Sequence, residues 1–107
     1  MPTYANTSYV ARNVGTSAST LTTVSSGTIA ITSLVVSNTT TSPITTDVYF
    51  TRSATDYYLV KAATIPVGGS LEVIGGNRVV LIASDALKVV TSAASSADVV
   101  VSVLTAV

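Results

Sequence analysis

The sequence predicts an all-β fold, a single antiparallel β-sandwich or jelly-roll-like domain spanning 1–107, and three observations predict it. β-Branched residues dominate from end to end, which disfavours helix and suits a pleated surface. No stretch spaces its apolar residues at three and four. Turn-forming clusters instead recur at short intervals, as they do in sandwiches and barrels. They fall at Val14-Gly15-Thr16, Ser25-Ser26-Gly27, Asn38 to Pro43, Ser53 to Asp56, Gly68-Gly69, Gly75-Gly76-Asn77, Ser84-Asp85 and Ser92 to Ser96.

The elements between these turns follow in order. Residues 1–14 are expected to be able to extend as an N-terminal arm, with Tyr4 and Tyr9 as candidates for anchoring to a neighbour. In Thr28 to Asn38, Ile29 and Ile31 are in phase with each other but out of phase with Leu34 and Val36. One regular strand cannot bury all four on one face, so either a β-bulge interrupts it near Thr32-Ser33 or both faces are covered. In Ile44 to Arg52, Ile44, Val48 and Phe50 share one face and Thr45, Asp47, Tyr49 and Thr51 the other. Leu71 and Val73 flank an opposed Glu72, and Leu87 and Val89 flank an opposed Lys88, as in half-buried strands.

The last run, Val99 to Leu104, departs from alternation. If Val99, Val101 and Val103 face the core, Val100 and Leu104 are left on the opposite side as an apolar stripe. Either the chain's own segment from Tyr4 to Val14 covers that side or another subunit does. The subunit contact is the expectation, with Val100 and Leu104 as its residues.

Charge supports association. Only 9% of the residues are charged, against roughly 25% in an ordinary soluble domain. Five basic residues balance five acidic ones, so little electrostatic repulsion keeps copies apart. Arg12, Arg52, Lys61, Arg78 and Lys88 are scattered singly, which argues against a nucleic-acid partner. The apolar runs are far shorter than the roughly 20 residues a spanning helix needs, so no membrane partner is expected.

Catalytic chemistry is thin. With no His and no Cys, triads built on either are impossible, and no thiolate metal site or disulfide can form. The carboxylates Asp47, Asp56, Glu72, Asp85 and Asp98 would work as an acid/base pair only if distant loops converged. Asp at a turn ordinarily bonds nearby backbone amides instead. No catalytic, metal or cofactor residue is assigned. Neither glycine pair opens a helix as a phosphate loop would. Asn6-Thr7-Ser8 and Asn38-Thr39-Thr40 match glycosylation acceptors, as chance allows in so hydroxyl-rich a chain. The remaining candidate is the loop cluster Arg52, Asp56, Tyr57 and Tyr58, an exposed contact for protein or glycan. Its plain structural counterpart is a hairpin with one ring tucked inward and an Arg52–Asp56 pair across the turn.

Four stretches carry a family likeness: Thr20 to Thr39, Tyr57-Tyr58-Leu59-Val60-Lys61, Ile65-Pro66-Val67-Gly68-Gly69-Ser70-Leu71, and Leu81-Ile82-Ala83-Ser84-Asp85 continuing through Ala86-Leu87-Lys88-Val89. In these the chain resembles small virion structural proteins of tailed bacteriophages, especially marine and cyanobacterial phages. The resemblance implies a non-enzymatic, homo-oligomeric module, such as a trimer, made in the host cytoplasm and placed on the virion. It implies a capsid decoration or cement protein partnered with the major capsid protein, or else a neck, tail or fibre component. A glycan-binding attachment module is the alternative from another class. The relatives carry a Gly-Asp step where this chain has Ser84-Asp85, and Pro within the turn at Val24 to Gly27. Because Ser tolerates positive φ poorly, the turn at Ser84 is expected to differ from theirs.

Overall fold

A computed structural model describes residues 4–74 and 78–106. Among the described residues there are nine strands: β1 (Tyr4–Val14), β2 (Ser19–Thr23), β3 (Thr28–Asn38), β4 (Ile44–Arg52), β5 (Thr55–Ile65), β6 (Ser70–Glu72), β7 (Val79–Ile82), β8 (Ala86–Thr91) and β9 (Ala97–Ala106). They form two sheets. The first runs β1-β9-β3-β6, with β7 also pairing β3, and the second runs β2-β8-β4-β5. All pairings are antiparallel. The chain is therefore all-β, an antiparallel sandwich, as its patterning predicts. The turn clusters fall between strands, except Gly75-Gly76-Asn77, which lies outside the described residues.

The core lies between the sheets. Ile31, Leu34, Val36, Val99, Val101 and Val103 from the first sheet meet Val48, Leu87 and Val89 from the second, all essentially inaccessible. Strand β3 shows how its two phases are reconciled. Its pairing with β9 shifts between Ile31 and Ser33, so Thr32 is an extra residue in the ladder. Thr32 swings outward, and its hydroxyl donates to the Ser102 carbonyl at 3.1 Å. One inserted residue reverses side-chain phase, so Ile29, Ile31, Leu34 and Val36 all reach the core.

The segment 4–14 runs along its own chain instead of standing out as an arm. From Tyr4 to Ala11 it pairs residue for residue with β9, ending in a bulge where Asn13 takes φ 55°. Unbroken pairing satisfies backbone groups that a free arm would leave to water. This closes the hydrogen-bonding edge of β9, but an edge strand in the same sheet cannot roof the sheet's outer surface.

Among the described residues every buried side-chain polar atom has a hydrogen-bond partner. Asn38 donates its amide to the carbonyls of Ser42 (2.8 Å), Ile65 (3.1 Å) and Pro66 (3.2 Å), and its side-chain oxygen accepts from Thr40. It pins the β3–β4 turn to the end of β5. The Thr91 and Ser96 hydroxyls lie 2.6 Å apart and reach the Val14 carbonyl, tying the β8–β9 turn to β1.

Candidate assembly surface

The outer surface of the first sheet is built by register. Val10 lies opposite Val100, and Val100 opposite Val35, giving one apolar row across β1, β9 and β3. Ser8, Ser102 and Ser33 form the next row, and Asn6, Leu104, Ala30 and Val80 the one after it. Two rows rich in aliphatic side chains thus flank a row of hydroxyls. Val10 is 74% exposed and Val100 is 49% exposed, while Leu104 is half-buried between its neighbours. Glu72 closes the Val10 row at β6, where its carboxylate accepts from the Ser33 hydroxyl and the Leu34 amide, both at 3.4 Å. Val100 and Leu104 therefore share a face, Val100 between Val10 and Val35 and Leu104 between Asn6 and Ala30, and among the described residues no strand covers them.

Tyr9 is placed differently from a free anchor. Tyr9 points inward, half-buried against the core beside Val101. The Tyr4 side chain lies outside the described residues; its backbone pairs with Ala106.

The cluster around the β4–β5 turn is split by the pleat. The turn is two residues long, with Ser53 and Ala54 both at positive φ (52° and 63°), the twist that suits a tight hairpin. Tyr58 packs at a tilt against Tyr49, ring centroids 5.0 Å apart, on the outer side, and Tyr57 stacks on Phe50 at 5.4 Å on the inner side. Both rings stay substantially open, Tyr57 at 49% and Tyr58 at 44%. Tyr49, read from alternation as part of the polar face, is buried beneath Tyr58, and burial raises its hydroxyl pKa. The Lys61 ammonium sits 4.2 Å over the Tyr58 ring. Alternation could not show this ring pairing, since it depends on which strands become neighbours.

Arg52 does not pair with Asp56 across the turn. Asp56 instead accepts from the Thr51 hydroxyl at 2.7 Å. Arg52 reaches Asp85, its Nε donating to Oδ1 at 2.9 Å and Nη2 to Oδ2 at 2.6 Å. The Asp85 side chain is 1% exposed and also accepts from the Ile82 amide at 2.9 Å. The guanidinium, seconded by that amide, holds its carboxyl below the usual aspartate range. The β7–β8 turn carrying it also departs from expectation. Ser84 does adopt positive φ, 76°, the conformation the Gly-Asp step would give. Hydrogen bonds from Ser84 to the Val24 carbonyl (2.8 Å) and from Val24 to the Asp85 carbonyl (2.9 Å) hold it there.

The other acids serve local structure. Asp47 accepts from the Ala62 amide at 2.6 Å, where Ala62 lies at φ 53° in a β5 bulge, and Asp98 accepts from the Asn13 amide at 3.1 Å. Every carboxylate thus has a hydroxyl, amide or guanidinium partner. Among the described residues no three acidic groups gather as a metal site would require.

The fold defines a two-sheet antiparallel sandwich with an aliphatic outer face. A solved structure of Bacillus endospore appendages, described as a novel family of disulfide-linked pili, shares this fold. The two are 15% identical, with a TM-score of 0.60 covering 98% of this chain and 89% of that one. No protein-family model and no curated protein matches the sequence. This sequence has no Cys, so its copies cannot be joined by disulfides.

Proposed function

We propose that the chain is a non-enzymatic structural subunit whose copies pack into or onto a repeating protein assembly. One observation carries the reading: the uncovered row of Val10, Val100 and Val35 on the outer face of the first sheet. Water against such a surface is unfavourable, at about 25 cal/mol for each Å² of apolar area. The flanking groups are hydroxyls, whose dehydration costs much less than that of charges. The appendage structure with the same fold is itself a pilus, which accords with assembly as a use of this sandwich.

The specific assembly we propose is a bacteriophage virion, with the chain as a decoration or cement protein seated on the major capsid protein. The support is the sequence resemblance together with a rigid, nearly uncharged body suited to repeated contacts. Many copies on a lattice add avidity to weak single contacts. Purified particles test this: a cement protein is present in hundreds of copies per particle, and few copies would move the chain to the neck, tail or fibres. The glycan reading fares worse, because Tyr57 and Tyr58 face opposite sides and Arg52 is committed to Asp85.

A further inference from the structure

Four edges of the two sheets differ sharply in how they are guarded. Strand β5 is interrupted by bulges at Leu59 and at Lys61-Ala62. Strand β2 has five residues and a bulge at Leu21. Strands β6 and β7 share one edge as separate pieces of three and four residues. Bulges, short length and charge are the usual means by which an edge avoids pairing with another chain. Strand β1 has none of them between Ala5 and Ala11: no charge, no proline and no register shift. Its only strand partner among the described residues is β9, so its outward backbone donors and acceptors have none.

We infer that β1 pairs antiparallel with β1 of a second copy across a two-fold axis, joining two first sheets into one continuous sheet. The partner must offer an equally long, regular and uncharged edge, and among the described residues only β1 itself does. Self-pairing brings no like charges together over Ala5 to Ala11. It also preserves the faces of the sheet. Val10, at the rim of each copy, then continues the aliphatic outer face of one into that of the other. This deepens the assembly reading and rests on it only for self-association, because it names an edge contact where that reading named a face.

The absence of native cysteine makes the test clean. Single cysteines are placed in turn at each position from Ala5 to Ala11, with Ser102→Cys as a control on the outer face. Each folded variant, checked by thermal unfolding, is oxidised and run without reductant. A two-fold strand pair brings one position against itself, so one β1 variant should run mostly as a covalent dimer while Ser102→Cys stays monomeric. The unmodified chain should sediment as a dimer or an even multiple of it. Cross-linking through Ser102→Cys, or failure of every β1 position, overturns the inference. The assembly reading survives either result provided the unmodified chain still self-associates, and a chain that remains monomeric overturns both.

Discussion

Two adjacent residues in the β7–β8 turn show how single positions set stability here. Ser84 sits in the left-handed region at φ 76° without glycine's freedom. That conformation costs an ordinary L-residue about 1–2 kcal/mol, part of which glycine returns as backbone entropy. Ser84→Gly should therefore raise stability by about 1 kcal/mol, read as a higher urea midpoint with an unchanged slope. Asp85 behaves oppositely. Removing its carboxylate strands the Ile82 amide and releases Arg52, so Asp85→Ala should cost about 2 kcal/mol. Because the folded-state pKa is depressed, the carboxylate's contribution is present above the unfolded value and lost as pH falls through the folded one. The stability gap between the wild type and Asp85→Asn should accordingly hold from neutral pH down to about 4 and shrink below it. A gap that narrows instead on the alkaline side would rule this pair out as the cause.

Strand β3 carries the clearest lesson about elements. Its apolar residues obey period two only on either side of Thr32, and the structure resolves the conflict with one extra residue. Deleting Thr32 would restore a regular ladder while turning Ile29 and Ile31 away from the core. At 1.5–3 kcal/mol for each buried side chain, the deletion should cost on the order of 4 kcal/mol. Thr32→Ala, which keeps the residue count, should cost less than about 1 kcal/mol, since it removes only one exposed hydrogen bond. Chemical denaturation of the two variants side by side separates register from side chain. That conflict of phase was legible in the sequence because it lies within one strand. The bulges in β5 were not, since Leu59 and Ala62 become extra only once β4 is known to be the neighbour. The Arg52–Asp85 pair escaped for the same reason. It joins turns 33 residues apart, while Asp56 stood nearer in sequence.

At the scale of the whole molecule, the sandwich has one outer face with few means of staying apart from other protein. The nearly neutral chain supplies little repulsion, and Val10 and Val100 lie uncovered side by side. Val100→Asp places a charge in the middle of that row without touching the core. Such a charge buried against a partner finds no counter-ion in its cross-strand neighbours Val10 and Val35 or in the flanking row of serines. Self-association measured by sedimentation equilibrium should weaken at least about tenfold, a change of roughly 1.4 kcal/mol, while the unfolding temperature of the isolated subunit moves little. Unaltered association in this variant would remove the outer face from the proposed contact.

Alternation, β-branching and turn clusters were enough to determine an all-β sandwich, the limits of β3 and β4, the inward set Val99, Val101 and Val103, and the outward turn of Val100. These follow from local stereochemistry, because a strand's two faces are fixed by its own pleat. Which strands lie side by side was decided only by the tertiary structure. That choice set β1 against β9, buried Tyr49 under Tyr58, joined Arg52 to Asp85, and aligned Val10 with Val100 and Val35. The rows exist only between strands, and pairing partners are selected by closure of the whole core, which no segment encodes alone.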